Sequence, residues 1–292
     1  MRIAALVLCH IFPERINRLI SSLDDEDIDV YIHIDKKSTL FDEIKSDNGK
    51  INILCDELRV DVRWGQFSQV EAELNLLRYA SGRKSYDYYL LLSGMDYPLV
   101  STEELKLFLS DNAESNYINL CNSRNNNNNG KSNNHDKCND IYYLNCLLNK
   151  RGISRFMRRI WIASTGGYNH TFKAFRRKNN TGFKFYYGSQ WWCLSGNTIQ
   201  WMLEYIEENP KYVVFFRNSR NPDESFFQTL FMNSSFVNTR KDYLHYIDWS
   251  EKRNSPKCLG VSDFYKIKKS GKLFARKIMD EQLMDLIDQN LR

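Results

Sequence analysis

The sequence predicts an α/β fold in which a mostly parallel central sheet is covered by helices on both faces. Short apolar runs alternate with segments of helical periodicity through the first 120 residues, and such alternation is typical of a parallel sheet. The 292 residues include 42% hydrophobic and 14% aromatic residues, which is enough for a sizeable core. A single domain spanning 1–292 is expected, because no linker divides the chain clearly.

The first part of the chain is predicted to contain five strands. They are Ile3–Cys9, Val30–Ile34, Ile51–Leu54, Tyr88–Leu92 and Tyr117–Leu120. Three helices lie between them, from Pro13 through Leu23, over Phe67–Ala80 and over Thr102–Leu109. Apolar residues recur at helical spacing in the second helix. Ser101 or Thr102 is the expected cap of the third, with Glu104 in its first turn. We expect residues 1–120 to form the nucleotide-binding half.

Regular patterns return in the last part of the chain, residues 183–292, which we expect to be the acceptor and catalytic half. Regularity resumes over Phe183–Leu194. A helix is expected over Asn197–Glu208, ended by Asn209-Pro210, and another short one should begin at Pro222, because proline favours a first helical turn. An edge strand at Leu244–Trp249 and a terminal helix at Asp280–Asn290 complete the prediction.

The middle of the chain has a different composition. Residues 122–139 are rich in asparagine and predict a mobile low-complexity loop within a variable insertion, 121–182. Basic residues concentrate in 150–178, although the net charge is only +5. That segment can be a solvated face, or it can meet a phosphate, an anionic glycan or the membrane surface as a peripheral contact. The mild overall charge does not indicate a nucleic-acid binder.

The seven cysteines are scattered and form no CxxC pair. Cys9, Cys55 and Cys193 lie in apolar runs, which predicts reduced, buried thiols and a cytoplasmic location. No segment approaches the ~20 apolar residues of a membrane-spanning helix. We therefore expect a soluble protein, with peripheral attachment to the inner face of the membrane as the alternative.

Polar residues interrupt the pattern at several strand ends, where open α/β sheets bind ligands. His33 and Asp35 end the second strand, in a place suited to a ribose or a uracil edge. Trp64-Gly65 leads into the second helix, and Gly65 permits close approach of backbone to a ligand, although a plain turn is an equal alternative. Ser93 and Asp96 follow the fourth strand. Asp96 has no acidic partner there, and because a metal needs several converging oxygens, no metal is expected.

The segment Asn221-Pro222-Asp223-Glu224 places two adjacent carboxylates at a helix start. Asp223 fits an ordinary acidic residue in a first turn. Glu224 is the stronger candidate for a general base, because a carboxylate can accept the proton of an attacking sugar hydroxyl within hydrogen-bond reach.

Taken in order, these segments resemble the core-2/I-branching β-1,6-N-acetylglucosaminyltransferase family, glycosyltransferase family 14, which also contains peptide O-xylosyltransferases and many bacterial members. The resemblance runs from residue 1 to about 280. Six segments carry it: His33-Ile34-Asp35, Trp64-Gly65 with Ser68, Ser93-Gly94-Met95-Asp96-Tyr97-Pro98, Gly188-Ser189-Gln190-Trp191-Trp192, Pro222-Asp223-Glu224 and Ser270-Gly271-Lys272-Leu273-Phe274-Ala275-Arg276-Lys277.

The resemblance implies a GT-A-type, Rossmann-like fold and a metal-independent enzyme that inverts the anomeric carbon. By the family pattern, Glu224 is the base and Lys277 neutralises the diphosphate of the donor. The family's second basic residue, an arginine, has no direct counterpart here. His245 is nearest in register, and the other candidates are Arg240, Lys241 and Arg276.

The family segments also place the substrates. His33–Asp35, Trp64-Gly65 and Ser93–Asp96 are expected around the donor. Trp191, Trp192 and Asp223 are expected near the acceptor, with one tryptophan as a stacking platform and the other pointing inward.

The resemblance implies a UDP-sugar donor, with β-linked transfer from UDP-GlcNAc as the first expectation. UDP-xylose and UDP-glucuronic acid are the alternatives. An oligosaccharide or lipid-linked glycan of bacterial surface polysaccharide synthesis is the expected acceptor. A catalytically silent protein that binds carbohydrate or nucleotide is the alternative from another class.

Overall fold

A computed structural model describes residues 1–44, 51–121, 156, 160–161, 163–164, 178–251 and 255–292. The expected loop at 122–139 lies outside the described residues. The basic segment 150–178 lies almost wholly outside them as well, and so does most of the expected insertion. Among the helices that are described, none is both long and apolar enough to cross a bilayer.

A seven-stranded sheet forms the centre of the described structure, in the order β3-β2-β1-β4-β7-β6-β8. Strand β7 is antiparallel to its neighbours β4 and β6, and the other strands run in one direction. The order 3-2-1-4 at one side is that of doubly wound nucleotide-binding folds. The strands are β1 (Ile3–Cys9), β2 (Ile28–Ile34), β3 (Ile51–Ile53), β4 (Tyr88–Ser93), β6 (Asn116–Ile118), β7 (Trp192–Ser195) and β8 (Arg240–Lys241).

Eight α-helices are described, of which the first six pack on this sheet. They are α1 (Pro13–Ser22), α2 (Ser68–Ser81), α3 (Thr102–Asp111), α4 (Gly196–Glu208), α5 (Pro210–Arg217), α6 (Phe226–Met232), α7 (Phe264–Lys269) and α8 (Glu281–Asn290). Four short 3-10 turns are also described, at Leu40–Glu43, Pro222–Glu224, Ser235–Thr239 and Val261–Asp263.

The two faces of the sheet bury different helices, because successive residues of a strand point to opposite sides. In β1, Ala4 and Leu6 belong to the core that α2, α4, α5 and α6 cover, whereas Ala5 and Val7 belong to the core under α1 and α3. The predicted α/β class, with a mostly parallel sheet covered on both faces, is confirmed.

A second, three-stranded sheet lies next to the carboxyl end of β4 in the first sheet. Its order is β5-β10-β9, with β5 at Asp96–Pro98, β10 at Phe274–Arg276 and β9 at His245–Ile247. Strand β10 pairs antiparallel with β5 and parallel with β9, and the register sets Arg276 opposite Asp96. This small sheet was not predicted, and it brings the end of β4 next to the C-terminal part of the chain.

Most predicted elements are found within two residues of their expected bounds. Ser101 caps α3 in a reciprocal arrangement with Glu104, and Asp280 caps the terminal helix. The segment predicted as a short helix at Pro222 is a 3-10 turn followed by a separate helix from Phe226. The expected edge strand is β9, at the edge of the second sheet.

The helix predicted over Asn197–Glu208 ends before Asn209-Pro210 as expected. Pro210 opens a further helix, α5, because a proline fits the first turn of a new helix, where its missing N–H is not needed. One prediction about the cysteines was wrong. Cys55 is exposed, because β3 has ended two residues before it, whereas Cys9 and Cys193 are buried as expected. All the cysteines in the described residues are free thiols.

Candidate active site

The polar residues singled out in the sequence gather at the carboxyl edge of the main sheet. Asp35 follows β2, Asp96 follows β4, and Lys277 follows β10. Because β7 is antiparallel, the segment that precedes it, Gly188–Trp191, lies at this same edge. The strand order reverses between β1 and β4, which is the place where open sheets of this type form a ligand crevice.

Asp96 is the centre of a buried cluster of charged and polar groups. Its Oδ1 accepts a hydrogen bond of 2.7 Å from Arg276, and its Oδ2 accepts one of 2.8 Å from the Ser93 amide. Nε2 of His245 lies 3.3 Å from Oδ2. Burial alone would raise the pKa of Asp96, but the charge of Arg276 and the contact with His245 outweigh burial, so the pKa lies below its ordinary value.

Arg276 is sandwiched between this carboxylate and an aromatic ring. Its guanidinium carbon lies 4.0 Å from the ring centre of Trp191, a distance typical of a cation–π contact. The neighbouring Lys277 donates a hydrogen bond of 3.0 Å to Oγ of Ser255. Partial burial, and then the charge of Arg276, lower the pKa of Lys277. Two cationic side chains therefore stand side by side at the end of β10.

Glu224 lies at the end of a tight turn that two other motifs support. The turn begins at Asn221, whose amide donates 3.0 Å to the carbonyl of Gly65, and whose Nδ2 lies 3.4 Å from Oε2 of Glu224. The amide of Gly188 donates 2.9 Å to the backbone carbonyl of Glu224. Electrostatic repulsion between Glu224 and Cys121, just beyond β6, contributes after burial to the raised pKa of that thiol.

Two glycines make this contact between motifs possible. Gly65 has a φ of +72°, and a Cβ there would lie 2.8 Å from Oδ1 of Asn221. At Gly188 a Cβ would lie 1.8 Å from the carbonyl oxygen of Asn119, which no side chain can tolerate. Gly65 is therefore packed directly against the turn that carries Glu224, whereas Gly188, which bonds that turn, is packed against the chain that follows β6.

The segment Gly188–Trp191 connects the two groups of the site. At one end Gly188 is bonded to Glu224, and three residues later Trp191 packs on Arg276. Three residues of extended chain span only ~10 Å. The backbone of Glu224 and the guanidinium of Arg276 are thus held close together by one short segment. That the Glu224 carboxylate and Lys277 share one cleft stays a prediction.

Trp64 lies next to the glycine that bonds the turn of the candidate base, since the carbonyl of Gly65 accepts the amide of Asn221. It is 69% exposed and directly precedes Gly65. Trp192, in contrast, is 1% exposed and packs on Phe227 inside the core. Trp192 points inward, as expected for one tryptophan of the pair, but Trp191 is only 7% exposed and is covered by Arg276. The expectation that one of the two rings is a stacking platform is therefore wrong for Trp192 and unsupported for Trp191, because neither ring is open to solvent.

The alternatives for the second basic residue occupy very different positions. His245 is 1% exposed, enclosed by Trp191 and Phe274 and directed at Asp96, so its ring cannot reach a bound diphosphate in this arrangement. Arg240 is on β8, three strands or ~14 Å from β4. There its guanidinium lies 3.5 Å from the Ile118 carbonyl. The following Lys241 is exposed on the same strand. Arg276 alone among the four lies beside Lys277.

His33 and Asp35 are held by protein groups. Nε2 of His33 accepts the amide of Val60 at 2.9 Å, and burial lowers the pKa of this histidine to about 4, so its ring is neutral. Asp35 accepts hydrogen bonds of 3.0 Å from the amide and from Nζ of Lys37. These contacts shape the end of β2, and whether the two side chains also touch a donor stays a prediction.

Several site residues were not recognised in the sequence. His10, exposed just after β1, interacts electrostatically with Asp35, Lys277 and Arg276, although loss of water around its ring is the main reason why its pKa is lowered. Gln69 and Glu73 on α2 reach the turn of Glu224 and the Gly188–Trp191 segment. His10 could have been recognised as a candidate site residue, because it is a histidine at the end of a strand. Gln69 and Glu73 could not, because single polar residues inside an apolar helix do not indicate a site.

Asp223, next to the candidate base, is buried. Its Oδ2 lies 3.3 Å from Nε2 of Gln69, and its Oδ1 has no hydrogen-bond partner among the described residues. Burial, and then the charge of Glu224, raise the pKa of Asp223 to about 8. In the described part of the chain no group of three or more acidic, histidine or cysteine side chains is arranged to hold a metal ion.

Comparison with known proteins finds one family and a set of distant relatives. A family model described as Core-2/I-Branching enzyme matches residues 14–270. Human xylosyltransferase 2 is 23% identical over the whole chain, which covers 34% of that protein. Human xylosyltransferase 1 is 22% identical, again over the whole chain and over 30% of its own length. The chain thus spans about a third of the length of the curated relatives it matches.

Solved structures resemble the chain more weakly. A galactosyltransferase crystallised with donor and acceptor sugar analogues aligns with 98% of this chain and 95% of its own, at a TM-score of 0.40 and 9% identity. Mouse xyloside xylosyltransferase 1, in its apo form, aligns at a TM-score of 0.37 and 9% identity, covering 94% of this chain and 97% of its own.

Proposed function

Because the chain belongs to the Core-2/I-Branching enzyme family, we propose that it is an inverting glycosyltransferase with Glu224 as its catalytic base. The donor is a nucleotide sugar and the acceptor is a carbohydrate hydroxyl. The observation that carries the proposal is the Gly188–Trp191 segment, which joins the turn of Glu224 to the cationic pair Arg276–Lys277 within ~10 Å of chain. A base and a counter-charge for a leaving diphosphate are what this reaction requires.

The reaction is a single displacement. A carboxylate oxygen of Glu224 takes the proton of the acceptor hydroxyl as its oxygen bonds to the anomeric carbon. The bond from that carbon to the diphosphate breaks on the opposite side, and the electron pair leaves with the nucleoside diphosphate. Lys277 and Arg276 stabilise the negative charge that develops there, because fixed cations need no reorganisation during the step. Alignment of the two substrates supplies much of the remaining acceleration.

Metal independence is part of the proposal. A carboxylate at the position of Asp96 is the natural first ligand for a divalent cation on the diphosphate. Here its Oδ1 is bonded to Arg276 at 2.7 Å and its Oδ2 to the Ser93 amide at 2.8 Å. A metal would have to displace a buried ion pair, and Arg276 already brings positive charge to the same place. We therefore expect transfer to persist in EDTA.

UDP-GlcNAc, transferred in β-linkage, is the first candidate donor, from the family to which the chain belongs. UDP-xylose is the second, since the relatives found are named xylosyltransferases. UDP-glucuronic acid remains a third candidate. For the acceptor we propose an oligosaccharide or lipid-linked glycan of bacterial surface polysaccharide synthesis. We propose Trp64 as the ring on which it stacks, because this ring is exposed and precedes Gly65, which bonds the turn of Glu224.

The test is a panel of UDP-sugars, with release of UDP measured with and without candidate glycan acceptors. Glu224→Gln should leave donor binding intact and reduce transfer by about 10³-fold or more, since the amide cannot take the proton. Glu208→Gln, an exposed glutamate at the end of α4, is the matched control. Transfer by Glu224→Gln within threefold of the unmodified protein would remove Glu224 as the base. Strict dependence on manganese would contradict the metal-free site.

A further inference from the structure

Helix α2 carries two polar side chains one turn apart on its buried side. Gln69 is half-buried and Glu73 is 0% exposed, although their neighbours Val70, Leu74 and Leu77 all belong to the apolar core. A glutamate without any contact with water is rare, because burying its charge is costly. Such a carboxyl needs either hydrogen-bond or ion-pair partners for its charge, or a proton that keeps it neutral.

The two side chains connect α2 to both parts of the candidate site. Oε1 of Gln69 accepts the amide of Gly65 at 2.7 Å, and its Nε2 lies 3.3 Å from Asp223, the neighbour of the base. Oε1 of Glu73 accepts a hydrogen bond of 2.6 Å from Nε2 of Gln190. Gln190 directly precedes Trp191, the ring that packs on Arg276. One helix thus holds the turn of the base and the segment beside the cationic pair.

Glu73 and Asp223 are both poorly supplied with partners for a negative charge. Each keeps one buried oxygen without a hydrogen-bond partner, Oε2 of Glu73 and Oδ1 of Asp223. Within the described residues neither carboxyl takes part in an ion pair. Burial, followed by repulsion from Asp223, raises the pKa of Glu73 well above its ordinary value. The charge of Glu224 acts on Asp223 in the same direction as burial.

We propose that Glu73 and Asp223 form a buried pair of uncharged carboxyls beneath the active site, and that Glu73 is a positioning residue for the base. Uncharged, the pair can fix the turn of Glu224 and the Gln190–Trp191 segment through hydrogen bonds. It does so without placing a second and third negative charge beside Glu224 and the leaving diphosphate. The uncharged state of Glu73 and Asp223 is inferred from the fold alone. The positioning role of Glu73 rests on the proposed function as well.

The charge state can be tested without any substrate. The infrared spectrum at neutral pH should contain the C=O stretch of protonated carboxylic acids, and the contribution of Glu73 should be lost in Glu73→Gln while that of Asp223 remains. Glu71→Gln is the matched control, because Glu71 is exposed on the same helix. The band should be unaffected there. An acid band that is equally intense in Glu73→Gln and in the unmodified protein would overturn the uncharged pair.

The positioning role is tested with Glu73→Leu, which keeps the volume but cannot bond Gln190. The melting temperature should fall by roughly 2–10 °C, because Nε2 of Gln190 loses its hydrogen-bond partner. The turnover number for transfer should fall about tenfold to a hundredfold, because small displacements of reacting groups cost this much. The KM for the donor should stay within threefold. Wild-type turnover in Glu73→Leu would overturn the role.

If Glu73→Leu does not fold, the positioning role of Glu73 is tested with Glu73→Gln instead. This variant can still bond Gln190, so transfer within threefold of the unmodified protein supports the role, and loss of transfer refutes it. The outcome remains distinct from failure of the proposed function. If the unmodified protein releases no UDP from any donor, the proposed activity has failed, whereas the infrared result still settles the charge of Glu73.

Discussion

Asp96 and Arg276 form a buried ion pair with an oxygen–nitrogen distance of 2.7 Å, and only 11% of the arginine side chain is exposed. The pair links the end of the main sheet to the small second sheet, since its residues face each other across β5 and β10. It also fixes the positive charge of Arg276 beside Lys277, at the end of β10. Structure and proposed catalysis therefore depend on the same contact.

We expect Asp96→Asn to destabilise the protein by about 3–5 kcal/mol, because it leaves the charge of Arg276 buried without its partner. Asp285→Asn is the control, since it removes a pair of the same 2.7 Å length with Arg18, in which the aspartate is 58% exposed. That change should cost less than ~1 kcal/mol. Urea unfolding measures both, and equal losses would show that burial of the first pair contributes nothing.

Lys277→Ala should raise the KM for the donor about tenfold or more, because one of the two cations at the end of β10 is lost. Lys268→Ala, an exposed lysine on α7, is the control. Steady-state kinetics with varied UDP-sugar measure the effect. A donor KM that is the same in both variants would mean that Lys277 does not face the diphosphate.

The main sheet was easier to predict from the sequence than the small second sheet. Strand β1 was predicted to the residue, because a continuous apolar run next to a proline-initiated helix has few other interpretations. The second sheet was missed since its strands have three residues each and include Asp96 and Arg276, so no apolar period marks them. Lys277 was found only through the family motif.

Side-chain burial was less predictable than the positions of the motifs. Trp191 and Trp192 look alike in the sequence and both are buried in the same core, but only Trp191 packs on Arg276. Glu73 gives no sign of its burial in a local window, because its partner Gln190 is 117 residues away in sequence. Contacts of this kind depend on tertiary packing, and the neighbouring residues in the sequence do not indicate them.

Gly65→Ala should lose both stability and transfer. The φ of +72° already disfavours a side chain, and the new Cβ would lie 2.8 Å from Oδ1 of Asn221, on the turn that carries Glu224. We expect a cost of about 2–4 kcal/mol. Gly182→Ala separates the two effects, since its φ is +75° but nothing lies within 4 Å of the added atom; it should cost only ~1–2 kcal/mol. Similar losses in the two variants would mean that Asn221 moves aside without consequence.

Trp64→Ala should raise the KM for the acceptor about tenfold and leave donor hydrolysis unchanged, because an exposed ring next to Gly65, which bonds the turn of the base, offers a stacking surface for a sugar. Trp64→Phe should recover part of the loss. Trp249→Ala removes another exposed ring, 53% exposed and one residue beyond Asp248, and serves as control. Acceptor titration at saturating donor measures the effect, and an unchanged acceptor KM would exclude Trp64 as the platform.

Asp223→Asn should change stability in a manner that depends on pH. Burial, followed by the charge of Glu224, raises the pKa of Asp223 in the folded protein from 3.8 to about 8. An acid with a raised folded pKa contributes its full stability below the unfolded pKa, because both states are then protonated. As pH rises from about 4 to about 8 the unfolded chain ionises first, and the folded state loses at most ~1.4 kcal/mol per pH unit.

The asparagine variant cannot ionise, so it escapes this loss. Its stability relative to the unmodified protein should therefore increase from pH 4 to pH 8 and level off above pH 8, which urea unfolding at several pH values can measure. Asp111→Asn, an exposed aspartate at the end of α3, provides the reference for general effects of pH. A stability difference that is constant across the range would mean that Asp223 is already ionised in the folded protein, and the buried carboxyl pair with Glu73 would have to carry a charge.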